Sequence, residues 1–231
     1  MGASGDERGA AASWRLALAP GERHDFARTP GWWDARELRP LAQEHDDVPR
    51  LRAALALALP PLPDGSAVLD VGAGTGTFVA LLAGFYPALR YTLIDGSAAA
   101  LARAEQKLRA AHPDLDASFV PEAIDPLADG PLPGGPYRLV TSTIALHDVA
   151  PPADPDDAHG RARHRAAHLG LLRRIVAALE PGGHLVYADA VRPRFRAAEH
   201  LAALAMAGFA EVDCAYAVGR FLVCGGQRPR R

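Results

Sequence analysis

The chain has 231 residues, 49% of them hydrophobic and 23% charged, an ordinary balance for one large α/β domain with a modest extension. A formal net charge of −2 excludes a global field that would draw nucleic acid or an anionic membrane. Two cysteines do not make a secreted disulfide framework, residues 1–12 lack an apolar signal core, and the most apolar run, 53–59, is far too short to cross a bilayer, so a cytoplasmic protein is expected.

In chain order, residues 1–13 read as a loose tail and 14–59 as helical, broken near Pro20-Gly21, Pro30-Gly31 and Pro49. The Pro-rich stretch 60–65 separates this helical cap (14–62) from a core over 63–226. An apolar strand over 67–71 leads into the loop Val71-Gly72-Ala73-Gly74-Thr75-Gly76, and a helix follows over 78–85. A second strand over 91–94 stops at Asp95, and Ser97 is a plausible N-cap for a helix running to 111. Short strands are expected at 117–120 and 137–142, then a mobile Pro- and Asp-rich loop over 150–160. A helix over 161–179 precedes a Glu180-Pro181-Gly182-Gly183 turn and a strand over 184–188. A helix over 196–207 is closed by Gly208. Two last strands, 209–215 and 220–224, are close enough to pair antiparallel, and both cysteines, Cys214 and Cys224, fall in them as expected buried thiols; 227–231 is a basic tail. Strands alternating with helices predict a doubly wound parallel sheet covered on both faces.

The glycine loop lies between a predicted strand and a predicted helix, the context a nucleotide loop needs. Asp95, at the end of the next strand about 20 residues on, is placed to grip ribose hydroxyls. The spacing G-x-G-x-G departs from the dinucleotide fingerprint, which disfavours a nicotinamide oxidoreductase, and the lack of G-K-[ST] excludes a phosphate-gripping P-loop. Asp70, just before the loop, would repel a pyrophosphate but suits a ligand carrying an ammonium and a sulfonium.

Val68-Leu69-Asp70-Val71-Gly72-Ala73-Gly74-Thr75-Gly76 resembles motif I of the class I S-adenosylmethionine-dependent methyltransferases. Tyr91-Thr92-Leu93-Ile94-Asp95, the segment 137–147 and the L-x-P-G-G turn at 179–183 resemble later motifs of that family, as does Ala207-Gly208-Phe209. The resemblance implies a Rossmann-like seven-stranded sheet with its last strand antiparallel, and S-adenosylmethionine as cofactor. The methionine part is then expected over Gly72, Ala73, Gly74, Thr75 and Gly76, with Asp70 nearby and Asp95 on the ribose beside Gly96 and Ser97. The acid that this family often places after strand three is replaced here by Ala123. Glu122 or Asp125 substitutes, or the backbone at Ala123 and Ile124 holds the adenine; Thr143 completes the cofactor set. Arg28-Thr29-Pro30-Gly31-Trp32-Trp33 resembles the R-S-x-P-G-Y element of a subset that includes tRNA wobble-uridine enzymes, which implies that Arg28 faces the cofactor carboxylate.

The expected reaction is methyl transfer to an O, N or C nucleophile of a small molecule, with His147 as candidate base beyond strand four. The alternatives are a tRNA-base-modifying enzyme, or a protein of this fold that binds the cofactor without methylating. His164 and His168 are four apart, a spacing for two metal ligands on one helix face, but no H-E-x-x-H and no nearby cysteine accompanies them, and no metal is expected. Arg161, Arg163, Arg165, Arg173 and Arg174 make their helix basic; in a chain that is otherwise not basic this reads as a solvated face, and nucleic acid as a partner is disfavoured.

Overall fold

The computed structural model describes residues 47–149, 157–190, 196–219 and 221–231. The predicted tail, Arg28, Trp32 and Trp33, and most of the 150–160 loop lie outside the described residues. In order the elements are α1 (Asp47–Leu57), β1 (Ala67–Val71), α2 (Thr77–Phe85), β2 (Arg90–Asp95), α3 (Ala98–Ala111), β3 (Ala117–Pro121), β4 (Tyr137–Thr143), α4 (Leu146–Val149), α5 (Ala158–Ala178), β5 (Leu179–Ala190), α6 (Ala197–Ala207), β6 (Ala210–Val218) and β7 (Phe221–Gln227). None of the described helices is long and apolar enough to cross a membrane.

The seven strands form one sheet in the order β3-β2-β1-β4-β5-β7-β6. β1 pairs parallel with β2 and β4, whereas β7 is antiparallel to both β5 and β6. Successive residues of the inner strands alternate between two cores, as a pleated strand buried on both faces must. Val68, Leu93 and Val186 join Leu51 and Leu55 of α1 and the helices α2 and α3 on one face. Leu69, Ile94 and Tyr187 face α5 and α6 on the other. The last helix of the predicted cap, α1, is therefore part of the core. Sheet order reverses between β1 and β4, so the loops beyond these strands diverge and leave a crevice at their C-terminal ends.

The Glu180–Gly183 turn is absorbed into β5. Pairing with β4 jumps from Tyr137 with Leu179 to Leu139 with His184, a bulge that swallows the Pro-Gly-Gly. A Cβ on Gly183 would stand 2.9 Å from the carbonyl oxygens of both Glu180 and Tyr137, so the bulge requires glycine there. The chain beyond β7 is also tied down: the Arg228 N–H donates to the Gly183 carbonyl, and the Gly182 N–H donates to the Arg228 carbonyl.

Between α5 and α6 the interior is polar. The His168 and His200 rings meet edge to face at 5.6 Å, and the Tyr187 hydroxyl lies 2.8 Å from His200 Nδ1. Both histidines are about 1% exposed, and burial, the largest cause, lowers each to about 4. The unfolded chain, with histidines near 6.5, therefore binds more protons between pH 4 and 6.5. Stability that is present above pH 6.5 should drain away toward pH 4, at up to about 1.4 kcal/mol per pH unit for each histidine. Urea midpoints measured across that range should fall with acid, and His168→Leu should flatten the slope by about one proton. An unchanged slope would show that the pair does not titrate on unfolding.

Candidate active site

Three glycines of the β1–α2 loop take left-handed φ values, 66° at Gly72, 55° at Gly74 and 72° at Gly76, and two of them are also sterically confined. A Cβ on Gly72 would overlap Ala145, and one on Gly76 would lie 2.8 Å from the Ala104 side chain of α3. At Gly74 nothing stands within 4 Å, so this stretch of backbone is bare toward the crevice. Lys107 of α3, which sequence reasoning did not single out, steadies the loop from behind by donating to Thr75 and Thr77 Oγ1 at 3.3 and 2.8 Å.

Asp95 ends β2 with a fixed carboxylate. Its Oδ2 accepts from the Gly74 N–H and its Oδ1 from the Ser97 N–H, each at 2.8 Å. A carboxylate has about four lone-pair sites; these two bonds aim the group and leave capacity for two hydroxyls of a ligand. Ser97 is occupied as the N-cap of α3, accepting from the Ala100 N–H. A Cβ on Gly96 would stand 3.5 Å from that of Ala123, so the tips of β2 and β3 lie close together. Ile124 packs on the α5–α6 core, and the Asp125 carboxylate is spent on the Leu127 N–H, while Glu122 is exposed.

Asp70 is buried on the α1 face of the sheet, where Thr141 donates to its Oδ1 at 2.8 Å. Burial pushes the carboxyl up to about 7; the Thr141 bond opposes this, Asp95 adds to it, and the Arg52 charge of α1 opposes it. Near neutrality Asp70 is thus divided between its two protonation states.

At the end of β4 the backbone is strained. Ile144 has φ 55°, a region that β-branched residues avoid at a cost of about 1–3 kcal/mol. The turn is held by the Ile144 N–H donating to the Ala188 carbonyl of β5 at 2.8 Å. Beside it the Thr143 hydroxyl is buried without a hydrogen-bond partner among the described residues. An orphaned, buried hydroxyl at a strand end is what a site built around a polar ligand would show.

His147 follows at the start of α4. Its Nδ1 is 2.5 Å from Asp189 Oδ1, and its backbone N–H donates to Asp189 Oδ2 at 3.1 Å. Asp189, in β5, is fully buried. Burial alone would raise it, but the charge and hydrogen bond of His147, with the Ala190 N–H, hold it below the ordinary carboxylate range. Asp189 is therefore an anion clamped to the histidine. Sequence reasoning missed this partner because it ended the strand at Ala188, one residue short; the available signal was an acid closing a strand whose neighbour in the sheet is β4. Asp70, the glycine loop, Asp95, Gly96, Ser97, Ala123, Thr143 and His147 all lie on β1, β2, β3 and β4 or just beyond the C-terminal ends of these strands. Arg28 is outside the described residues.

The profile of the methyltransferase-domain family matches residues 41–216. The chain is 32% identical over 145 residues to the demethylspheroidene O-methyltransferase of Rhodobacter capsulatus, covering 63% of this chain and 30% of that protein. It is 36% identical over 129 residues to the trans-aconitate 2-methyltransferase of Paracidovorax citrulli, covering 56% and 40% respectively. The chain thus spans well under half the length of these curated relatives. Its fold is similar to that of the S-adenosylmethionine-dependent methyltransferase SibL in its apo form, with a TM-score of 0.60 and 24% identity over 94% of this chain and 62% of that one. With that match over well more than half of its residues, from ahead of α1 into β6, the chain belongs to the methyltransferase-domain family.

Proposed function

We propose that the protein transfers a methyl group from S-adenosylmethionine to a hydroxyl of a small-molecule acceptor. The observation that carries this reading is the His147–Asp189 pair at the ends of neighbouring strands, across the crevice from the Asp95-capped glycine loop. A carboxylate acceptor, such as the aconitate named for one relative, arrives deprotonated and needs no base; a hydroxyl does, and the other relative is named as an O-methyltransferase.

The cofactor, when bound, supplies an electrophilic methyl on a sulfonium. Asp95 would hold the ribose hydroxyls, the Gly74 backbone would admit close approach, and Thr143 would gain the partner it lacks. Ala123 and Ile124 would flank the adenine. Arg28, in the cap over 14–62, would face the cofactor carboxylate. Asp189 fixes His147 as the tautomer with Nδ1–H donating, which makes Nε2 the nitrogen that accepts the acceptor's proton. Alignment and exclusion of water do the rest. Against an RNA acceptor, two of the five α5 arginines have local work: Arg174 donates to the Asp125 and Gly130 carbonyls and Arg163 pairs with Asp157.

Calorimetric titration tests the cofactor. S-adenosylmethionine and S-adenosylhomocysteine should bind and NAD should not. Asp95→Ala should cost about 1.5–3 kcal/mol of that affinity, the worth of hydrogen bonds to a charged group. Heat with NAD, or none with either adenosyl ligand, would sink the assignment. Binding without turnover on any hydroxyl acceptor would favour a protein that holds the cofactor without methylating.

A further inference from the structure

We propose that Cys214 and Cys224 form an oxidisable dithiol that closes to a disulfide across the β6–β7 hairpin when the protein meets a hydroperoxide. The two residues are direct partners in the antiparallel register. Opposed residues in such a ladder have Cα atoms about 4.5–5.5 Å apart, inside the window a disulfide accepts. Both side chains lie on the same face of the sheet, against the α5–α6 core, and the Cys214 thiol donates to the Tyr216 carbonyl at 3.2 Å. Both are free thiols, with Cys224 fully buried and Cys214 half-buried at the sheet edge.

The burial difference orders the chemistry. Burial, the largest cause, and the neighbouring Cys214 thiol push the Cys224 thiol far up, so it is a poor first nucleophile. Cys214, on the edge strand, is the one a peroxide reaches. Its thiolate attacks a peroxide oxygen, the O–O bond breaks, and water and a Cys214 sulfenic acid result. Cys224 sulfur then attacks the Cys214 sulfur, the S–O bond breaks, and the departing hydroxide takes the Cys224 proton as a second water. Two thiols and one hydrogen peroxide thus become one disulfide and two waters. The bond would staple β6, which among the described residues has β7 as its sole strand neighbour, to the strand that also pairs Cys224 with Tyr187.

The test treats the intact folded protein with hydrogen peroxide, then counts thiols in denaturant and weighs the intact chain. Both thiols should disappear together, the mass should fall by two hydrogens on a monomeric chain, and dithiothreitol should restore both. In Cys214→Ser the Cys224 thiol should survive the same dose. The proposal is overturned if Cys214 instead gains oxygen while Cys224 still titrates, if the product is a disulfide-linked dimer, or if both thiols persist at a dose that fully oxidises free cysteine.

Discussion

Replacing His147 by alanine or by glutamine is expected to lower turnover about 10²–10⁴-fold, the usual contribution of a positioned general base, while leaving cofactor affinity within a few-fold of the parent. The separation of the two readouts follows from the geometry. His147 is held by Asp189 rather than by the glycine loop, so its loss should not disturb Asp95 or Gly74. Asp189→Asn is the informative companion. An amide preserves the shape but presents either an acceptor or a donor to Nδ1, so the wrong tautomer becomes populated and turnover falls without any change in the base itself. If alanine and glutamine variants turn over like the parent, the pair is packing and catalysis rests on proximity alone.

Asp70→Asn should move stability and cofactor affinity in opposite directions. The carboxyl is about 7 in the folded protein against an ordinary 3.8, so the folded state binds the extra proton and stability is lost as pH rises from 3.8 to about 7. At pH 8 the ionised, buried Asp70 carries a penalty on the order of a few kcal/mol, and asparagine removes it while still accepting from Thr141. The variant should therefore unfold at higher urea at pH 8 and gain nothing below pH 4. Asp70 also runs against the buried histidines in the same acid window, so its removal should steepen the loss of stability toward pH 4. A cationic sulfonium ligand prefers the ionised form, so affinity for S-adenosylmethionine in the parent should rise with pH, by up to about tenfold per unit below 7, and level off above. S-adenosylhomocysteine, whose sulfur is neutral, should respond less. Asparagine should abolish the pH dependence and weaken S-adenosylmethionine binding. Equal pH profiles for the two ligands in the parent would remove Asp70 from the cofactor site.

The elements most legible in the sequence were those whose signal is local. β1 is an apolar run broken by Asp70 alone, and Ser97 stands where a helix needs an acceptor, so both were placed to the residue. The glycine loop was legible as a loop, but not the division of labour within it: Gly72 and Gly76 answer to Ala145 and Ala104, which approach from 73 and 28 residues away in sequence (145 − 72 and 104 − 76). The Pro-Gly-Gly segment carries turn residues, yet pairing with the chain beyond β7 draws it into β5, and no local pattern encodes that partner. Asp189 was hidden for the same reason. Its meaning depends on β4 and β5 being neighbours, a fact of topology rather than of spacing.

The antiparallel β7 also has a consequence for how the molecule is assembled. It lies between β5 and β6, both of which precede it in the chain. A nascent chain that has emerged only as far as Val218 therefore holds two open strand edges side by side, each offering unpaired N–H and carbonyl groups to any passing strand. The slot closes only when the final hairpin folds back and slides between them. Sequence changes that slow this last insertion, at the Gly219 turn above all, should lengthen the interval in which the half-built sheet is open to aggregation without altering the finished fold.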